Sequence, residues 1–410
     1  FMLKRAIKPH VVKALDMYPV VILTGSRQVG KSTLAYEFVK EKGFAYVSLD
    51  NIDQRKLAIS DPKYFLQQFD TPLIIDEVQY APVLFEVIEE IVNRKRLETG
   101  NANGMYLLTG SQAFHLMKNV TQSLAGRASV IQMVPLGLDE ILGRETLPFV
   151  PSKDRIAMYQ KSIKISVKDV FELITKGMYP ELYRTDQAVP DYYENYVNTY
   201  IDRDISELIH LKDKLKFHDF LQYLAALTGQ QINASDLSRK LQVSSNTIQH
   251  WLSILESTGL IYFLQPYNDI SITKRVVKSS KVYFSDTGLA AYLIKMNYPE
   301  TLRISNLSGA FFETFVVNEI RKTFLNNKEP FHAYYYRDSK QNEIDLVLLY
   351  KGRLSLIEIK QGVSFQASDA KGFDQLKSSL YQIENRIILC NTLENYPINR
   401  DVQAVALNSI

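Results

Sequence analysis

A glycine-rich segment near the amino-terminal end constrains the fold of this chain more than any other feature. Gly25–Ser32 reads GSRQVGKS and matches the pattern G-x-x-x-x-G-K-[ST]. An apolar run, Val20–Leu23, precedes it, and a stretch with helical periodicity follows it. In such a strand–loop–helix, the N–H groups of the loop and the amino end of the helix face phosphate groups. The sequence therefore predicts a P-loop.

The loop and the first helical residues supply the predicted nucleotide contacts. Gly25 and Gly30 allow the backbone to curve, so that its N–H groups point at the phosphates. We expect Lys31 to bind the β- and γ-phosphates and Ser32 to offer its hydroxyl to Mg²⁺, which makes ATP and Mg²⁺ the expected cofactors. The residues predicted to bind the nucleotide are Gly25, Ser26, Arg27, Gln28, Val29, Gly30, Lys31, Ser32 and Thr33.

Short, continuous apolar runs alternate with helical stretches over residues 1–135. Runs without polar alternation are typical of strands that are buried on both faces of a parallel sheet. Between the runs, Lys31–Glu41 and Val83–Arg94 carry the periodicity of helices. The pattern predicts a doubly wound α/β domain with strands at Val20–Leu23, Ala45–Leu49, Leu73–Ile75, Met105–Leu108 and Ser129–Met133.

Two carboxylates directly follow the third apolar run. A buried strand that ends in Asp76 and Glu77 places both side chains at the carboxyl edge of the sheet, beside the P-loop. We expect Asp76 to hold Mg²⁺, usually through water, and Glu77 to polarise the attacking water as a general base. The two motifs together predict an ATPase.

Three further polar residues are candidates for the same site. Thr109 and Ser111 follow the fourth run, where they would touch the γ-phosphate or the attacking water, or would only cap a turn. Arg127 precedes the last run. It would act as an arginine finger, on its own nucleotide or in a homo-oligomer on that of the neighbouring subunit, or it is a solvated or structural arginine.

The motifs of this region resemble those of the AAA+-type ATPases that are widespread in archaea and bacteria. The similar segments are Thr24–Leu34, Ile75–Gln79, Leu108–Ser111 and Leu124–Arg127. These ATPases are commonly fused to a carboxy-terminal domain of unknown function that is related to restriction-endonuclease folds. Further similar segments, which extend the resemblance over nearly the whole chain, are Gly177–Glu181, Tyr200–Ile205, Lys281–Gly288, Phe311–Glu319 and Tyr335–Leu348.

Residues 136–210 lose the strand pattern. Asp169–Lys176 and Asp191–Ile209 have the periodicity of helices, and the breaker cluster Gly177–Glu181 lies between them. We expect a helical lid that is attached to the ATPase core.

Residues 211–302 have the element order of a winged helix-turn-helix, three helices followed by two strands. The predicted elements are Leu215–Leu227, Ser235–Leu241, Ser245–Ser257, Leu260–Gln265 and Lys281–Phe284. In the third helix, Ile248, Leu252 and Leu255 form one apolar stripe, and the polar residues off it lie where such a helix meets base edges. DNA is therefore the expected partner, and the alternative is a packing or oligomerisation module. The predicted DNA-contacting residues are Asn246, Gln249 and His250 on the helix and Lys274, Arg275 and Lys278 on the wing.

Residues 303–410 predict a nuclease-like α/β domain with a mixed sheet. Glu343-Ile344-Asp345 and Glu358-Ile359-Lys360 lie on successive strands, so pairing would bring Asp345, Glu358 and Lys360 together. Glu313, on the preceding helix, would add a metal ligand. The predicted elements are the helix Gly309–Phe324, the strands Ala333–Arg337, Glu343–Leu349 and Leu354–Lys360, a helix Asp369–Gln382 and a strand Arg386–Leu389.

This constellation resembles the PD-(D/E)XK nuclease core, although Ile344 stands where the usual proline precedes the aspartate. Two hypotheses stay open. The protein is an ATP-driven enzyme that acts on nucleic acid and cuts it with Mg²⁺, or it is a nucleotide-switched DNA-binding or assembly protein whose nuclease-like domain is an inert scaffold. An enzyme would require Glu358 and Lys360, and a switch would tolerate their loss.

Composition excludes few classes of function. The net charge of +3 over 410 residues neither requires nor excludes nucleic acid. Cys390 is the single cysteine, which excludes an intramolecular disulfide and a cysteine-based zinc site. The early apolar run Val20–Leu23 is too short to span a membrane. We expect a cytoplasmic protein.

Overall fold

The computed structural model describes residues 3–110, 124–159, 165–205, 214–268 and 279–410. The chain divides into two compact units. The first takes in the chain as far as Leu136 together with Ser257–Gly259 and Leu325–Lys328, and the second takes in the other segments. Each unit has its own sheet. The finer division predicted at residues 210 and 302 stays a prediction.

The first unit contains five strands: β1 (Val20–Thr24), β2 (Ala45–Ser48), β3 (Leu73–Asp76), β4 (Tyr106–Thr109) and β5 (Ala128–Gln132). They form a parallel sheet in the order β2-β3-β4-β1-β5. Every residue of β1, β3 and β4 is buried, which explains why their sequences show no polar alternation. The predicted α/β class is confirmed.

Helices pack on this sheet through apolar faces. Leu84, Phe85 and Ile88 of the longest helix share one core cluster with Ile22 and Ile75 of the strands. A 3₁₀ turn, Val78–Tyr80, follows β3. The helices of the first unit are α1 (Lys8–Met17), α2 (Lys31–Lys42), α3 (Ile52–Ser60), α4 (Pro62–Gln67) and α5 (Leu84–Thr99).

The second unit begins with a helical segment, and its later helices alternate with the strands of its sheet. The helices are α6 (Leu138–Leu142), α7 (Lys153–Tyr159), α8 (Val167–Lys176), α9 (Glu181–Arg184), α10 (Val189–Tyr196) with a π-helical continuation (Val197–Ile205), α11 (Lys214–Ala226), α12 (Ala234–Leu241), α13 (Ser245–Ser257), α14 (Thr287–Leu293), α15 (Pro299–Ile304) and α16 (Ser308–Leu325). In the part of the chain that the structure describes, no helix has the length and apolar character needed to cross a membrane.

A mixed sheet of nine strands forms the other part of the second unit. Its strands are β6 (Gln230–Gln231), β7 (Ile261–Pro266), β8 (Lys281–Phe284), β9 (His332–Arg337), β10 (Glu343–Tyr350), β11 (Arg353–Lys360), β12 (Gln382–Cys390), β13 (Tyr396–Pro397) and β14 (Gln403–Ala406). The order is β13-β14-β12-β11-β10-β9-β7-β8-β6. Because β7 pairs with β9, the sheet runs without a break from the strands near residue 260 to the carboxy-terminal strands.

One predicted element is wrong. Instead of a helix over Asp369–Gln382, the chain forms a 3₁₀ helix at Ala367–Gln375, and the long strand β12 begins at Gln382. Only Ala370 and Phe373 of the 3₁₀ helix are buried, so the segment lacks the wide apolar stripe that holds an α-helix on a core. The end of the predicted helix Asp191–Ile209 lies outside the described residues.

A buried aspartate joins the start of α14 to the turn after α8. The side chain of Asp286 accepts hydrogen bonds from the hydroxyl of Tyr193 at 2.7 Å, the N–H of Met178 at 2.7 Å and the N–H of Leu289 at 2.9 Å. A Cβ on Gly288 would lie 2.3 Å from the Tyr193 hydroxyl. The contact between the two segments therefore depends on the carboxylate of Asp286 and on the absence of a side chain at Gly288.

Asp286→Asn should therefore destabilise the second unit by about 3 kcal/mol, because one carboxylate oxygen becomes an amide that faces hydrogen-bond donors. Urea unfolding followed by the fluorescence of Trp251, the single tryptophan, measures the change. Asp186→Asn, at an exposed position, is the control and should shift stability by less than about 0.5 kcal/mol. Equal unfolding curves for the two variants would contradict this role of Asp286.

Candidate functional site

The predicted P-loop connects β1 to α2, and its glycines hold conformations that other residues avoid. Gly25 has φ 141°, and Gly30, which precedes α2, has φ 93°. A Cβ on Gly25 would lie 2.2 Å from the carbonyl oxygen of Met133, so the chain requires glycine there. The amino end of α2, with its unpaired N–H groups, adjoins the loop and favours an anion.

Lys31 is buried in the loop that it belongs to. Its Nζ donates to the carbonyl oxygen of Ser26 at 2.8 Å and to that of Gly25 at 3.1 Å. Burial lowers the pKa of Lys31 to about 8, although the charges of Glu77 and Asp76 act in the opposite direction. The ammonium group of Lys31 thus contacts neutral carbonyl oxygens, and an acceptor with a negative charge would bind it more strongly.

Asp76, the last residue of β3, collects hydroxyl groups from three other elements. Ser32 donates to its Oδ1 at 2.9 Å, Tyr46 donates to its Oδ2 at 3.0 Å, and the Thr109 hydroxyl also donates to Oδ1. Parallel pairing of β2, β3 and β4 brings these residues together at one edge of the sheet. Tyr46 was not among the residues predicted from the sequence. The one feature that could have indicated it is its place on the strand beside β3.

Glu77 follows Asp76 in a left-handed backbone conformation, with φ 57°. Its N–H donates to the Thr109 hydroxyl at 3.2 Å, and the Gln79 amide donates to its carboxylate. A non-glycine residue in this conformation costs free energy and is typical of functional sites. The hydroxyl of the fully buried Thr109 bridges the two acidic residues, because it donates to Asp76 and accepts the N–H of Glu77. Ser111 lies outside the described residues.

Arg127 lies at the other end of the sheet. Because β5 runs parallel to β1, with Val20 opposite Ala128, Arg127 adjoins the edge where β1 begins. The P-loop follows the opposite edge, about 15 Å away at roughly 3.3 Å per residue. Arg127 Nε donates to Asn93 Oδ1 at 2.7 Å, and Nη1 lies 3.3 Å from Glu89 Oε1. These contacts hold Arg127 away from the P-loop of its own chain, and its role as an arginine finger stays a prediction.

In the second unit, the structure brings Asp345, Glu358 and Lys360 together. Strands β10 and β11 pair antiparallel with Leu346 opposite Ile357, a register that sets Asp345 opposite Glu358. Lys360 Nζ lies 3.0 Å from Glu358 Oε2 and 3.9 Å from Asp345 Oδ2. The N–H of Ile359 also donates to Asp345 at 2.8 Å.

Glu313 lies nearby, and Lys281, which the sequence analysis did not assign, lies among the acidic side chains. Lys281 Nζ lies 2.7 Å from Glu343 Oε1, 3.0 Å from Glu313 Oε1 and 3.9 Å from Asp345 Oδ1. The Tyr283 hydroxyl donates to Glu313 at 2.6 Å. Because Lys281 and Tyr283 both lie on β8, a strand distant in sequence supplies the partners of these carboxylates.

Burial and mutual repulsion shape the protonation of this cluster. Burial, and then the charge of Asp345, raise the pKa of Glu313 and of Glu358. Burial alone would lower the pKa of Lys281, but the charges of Glu313, Asp345 and Glu343 outweigh it and raise this pKa. Lys281 therefore carries its charge at neutral pH.

These side chains line a polar cavity of about 850 Å³ in the second unit. Arg337 and Asn342 also line it, on the β9–β10 side. Among the residues that the structure describes, no group of three or more His, Cys, Asp or Glu side chains is arranged to hold a metal ion. The acidic and basic side chains that line the cavity form ion pairs with one another.

The exposed face of α13 carries the polar residues predicted to contact DNA. Asn246, Gln249 and His250 are exposed, whereas Ile248 and Trp251 are buried. Strand β8 pairs antiparallel with both β6 and β7. The predicted wing residues Lys274, Arg275 and Lys278 lie outside the described residues.

Comparison with protein-family models finds three matching segments. Residues 17–142 match the profile of an AAA domain. Residues 167–300 match a domain of unknown function (DUF8612), and residues 308–410 match another (DUF4143).

Similar proteins occur in bacteria and archaea. The uncharacterized protein Rv2008c of Mycobacterium tuberculosis is 27% identical over 352 residues, which cover 85% of this chain and 72% of that protein. The uncharacterized protein MJ1544 of Methanocaldococcus jannaschii is 21% identical over 353 residues, covering 83% of this chain and 74% of that protein.

Two solved structures show a limited likeness to this chain. The Walker-type ATPase PABY2304 of Pyrococcus abyssi has 15% identity and a TM-score of 0.44, over 71% of this chain and 96% of that one. The RuvB Holliday junction branch migration motor of Thermotoga maritima has 15% identity and a TM-score of 0.31, over 62% and 88%. The matching domain profile and the five-stranded parallel sheet together give the first unit the fold of a P-loop ATPase.

The geometry of the loop predicts how two glycine substitutions differ. Gly25→Ala should destabilise the first unit by clearly more than Gly43→Ala, because a Cβ at Gly25 meets the Met133 backbone whereas a Cβ at Gly43 meets nothing within 4 Å. Gly43 has φ 68°, so its substitution should cost only the left-handed conformation, about 1 kcal/mol. Thermal unfolding of both variants measures the difference, and equal losses would contradict the close contact between Gly25 and Met133.

Proposed function

We propose that this protein binds ATP with Mg²⁺ at the P-loop and hydrolyses it. The observation that carries the proposal is the position of Asp76, whose carboxylate is bonded to the P-loop hydroxyl of Ser32 and to Thr109. A carboxylate at the end of a strand beside a P-loop serine is the arrangement that a nucleotide-bound Mg²⁺ requires.

The residues present fit Mg²⁺, a hard cation that prefers oxygen ligands. The Ser32 hydroxyl and the Asp76 carboxylate lie 2.9 Å apart, so one ion would meet both, directly or through water. When bound, Mg²⁺ neutralises charge on the β- and γ-phosphates. The sequence-predicted loop residues from Gly25 to Thr33 would bind the phosphates.

Lys31 and Glu77 have separate roles in this proposal. Lys31 would exchange the carbonyl oxygens of Gly25 and Ser26 for phosphate oxygens, which hold an ammonium group more strongly. Glu77 would orient the attacking water and accept its proton. Thr109, bonded to Asp76 and to the N–H of Glu77, would act as a positioning residue for both.

Arg127 would serve a neighbouring subunit. It lies at the opposite end of the sheet from the P-loop of its own chain, and its side chain is 29% exposed. An arginine at such a position stabilises transition-state charge only when it is supplied to the nucleotide of another copy. The proposal therefore includes a homo-oligomer as the hydrolysing form.

We further propose that α11, α12 and α13 with strands β6, β8 and β7 form a winged helix that binds DNA. Its support is the exposure of Asn246, Gln249 and His250 on one face of α13, opposite the buried Ile248 and Leu252. Amide and imidazole groups on an exposed helix suit hydrogen bonds to base edges in the major groove.

For the carboxy-terminal domain, we favour the hypothesis of an inert nuclease-like scaffold in a nucleotide-switched DNA-binding protein. Asp345, Glu358 and Lys360 converge as a nuclease core would require. However, Lys281 Nζ lies 3.0 Å from Glu313 and 3.9 Å from Asp345, two of the carboxylates that a divalent metal would need as ligands. This observation favours the switch over the cutting enzyme.

Two substitutions separate ATP binding from hydrolysis. Lys31→Ala should abolish detectable ATP binding, because the phosphates lose their ammonium partner. Glu77→Gln should bind ATP but hydrolyse it at least about 100-fold more slowly, since the general base is lost. Fluorescent-nucleotide binding and phosphate release measure the two properties.

Lys42→Ala, at an exposed position near the end of the same helix, is the control and should match the wild type in both assays. An unchanged rate of phosphate release in Glu77→Gln would remove Glu77 as the base. Unchanged ATP binding in Lys31→Ala would remove the P-loop assignment.

Combined replacement of Asn246, Gln249 and His250 by alanine should weaken binding to duplex DNA at least about tenfold, because each contact to a base edge contributes about 1–3 kcal/mol. Fluorescence anisotropy at fixed salt measures the dissociation constant. Ser253→Ala, exposed further along the same helix, should leave it unchanged. Equal affinity of the triple variant would instead support a packing or oligomerisation module.

A further inference from the structure

The polar cavity of the second unit already contains a positive charge that the chain itself supplies. Lys281, on β8, is only 5% exposed, and its Nζ contacts Glu343, Glu313 and Asp345 at 2.7, 3.0 and 3.9 Å. These carboxylates come from β10 and α16. One ammonium group thus lies at the point where three acidic side chains from two elements converge.

We propose that Lys281 is the resident cation of this cavity, whose ammonium group takes the place of a divalent metal, so that the native protein binds no such metal there. An ammonium nitrogen and a metal ion compete for the same carboxylate oxygens, since each needs them at contact distance. A divalent ion beside Lys281 would also be repelled by its charge. The family resemblance implies a metal at this place, and the side chains do not fit one.

The remaining carboxylate of the cluster has a cationic partner as well. Lys360 lies 3.0 Å from Glu358 and 3.9 Å from Asp345, and Asp345 also accepts the N–H of Ile359. Each of the four acidic side chains is therefore within 4 Å of an ammonium group. Two ammonium groups therefore lie among the four acidic side chains and oppose the approach of an added cation.

The backbone holds Lys281 in this position. Strand β8 is paired on both sides at this residue, with Gln231 of β6 and with Leu264 of β7. The ammonium group also lies 5.6 Å from the centre of the Tyr335 ring, within the range of a cation–π contact. Withdrawal of the side chain would remove the ammonium partner of the largely buried Glu313, which is strongly unfavourable.

The decisive variant is Lys281→Met, which keeps the length of the side chain and removes its charge. Isothermal titration with MnCl₂, on the full chain without nucleotide, should show no binding by the wild type. The variant should gain one Mn²⁺ site, at least tenfold tighter than any binding by the wild type. Adding Asp345→Asn to the variant should abolish the new site, because Asp345 becomes one of its ligands.

A matched control lies elsewhere in the same unit. Lys322 is 4% exposed and its Nζ lies 2.7 Å from the buried Glu319, so Lys322→Met also removes a buried lysine from a carboxylate. This variant should gain no Mn²⁺ site. A similar gain in both variants would overturn the proposal, since binding would then follow any unpaired buried carboxylate.

Thermal stability gives a second measurement, which also serves when the variant is less stable than the wild type. Lys281→Met should unfold at a lower temperature than the wild type and should recover stability as MnCl₂ is added, while the wild type should not respond. Lys281→Gln, which keeps a polar group, should show the same recovery. Absence of any Mn²⁺ effect in both variants would overturn the proposal.

Nicking of supercoiled plasmid DNA tests the native cavity directly. The wild type should produce no nicking with Mn²⁺ that depends on Asp345. ATP hydrolysis by Lys281→Met should equal that of the wild type, because the proposed ATPase residues lie in the first unit. Mn²⁺ binding or nicking by the wild type that Asp345→Asn removes would show that Lys281 does not exclude the metal. That outcome would leave the proposed ATPase and DNA binding untouched.

Discussion

The carboxylate of Asp76 is the interaction on which the first unit's site depends. It accepts hydroxyl groups from α2, β2 and β4 at once, so it fixes the P-loop relative to the sheet before any nucleotide is present. Only a parallel sheet with β3 between β2 and β4 brings these elements to one edge. The same hydrogen-bond network reaches the N–H of Glu77 through Thr109, which couples the proposed metal ligand to the proposed base.

Each unit contains a buried lysine, and the pKa of the two lysines is shifted in opposite directions. Lys31 rests on the neutral carbonyl groups of Gly25 and Ser26, and burial lowers its pKa to about 8, so an incoming triphosphate would offer a better partner than the loop does. Lys281 rests on carboxylates that raise its pKa against the effect of burial. In the proposed function the first lysine gains a charged partner when the nucleotide binds, whereas the second already has its charged partners inside the fold.

Much of the first unit could be predicted from sequence, because its signals are local. A P-loop is a contiguous pattern, and strands buried on both faces are continuous apolar runs. The position of Arg127 was harder, since its edge of the sheet follows from the pairing of Val20 with Ala128, which no local pattern states. The segment Asp369–Gln382 was predicted as one helix, but only Ala370 and Phe373 of its first part are buried, which is too narrow an apolar face to hold an α-helix on the core. The chain forms a 3₁₀ helix there, and the long strand β12 begins at Gln382.

The second unit shows the limit of pattern-based inference most clearly. The pattern E-x-D followed by E-x-K placed Asp345, Glu358 and Lys360 correctly beside one another, because antiparallel register fixes which residues face. It gave no information on Lys281, which lies far earlier in the chain on a strand that joins the sheet through β7 and β9. That single ammonium group pairs with three carboxylates of the cavity, so the charges around Asp345 cannot be read from the motif alone. A positive charge from outside the motif contributes to the electrostatics of the cavity.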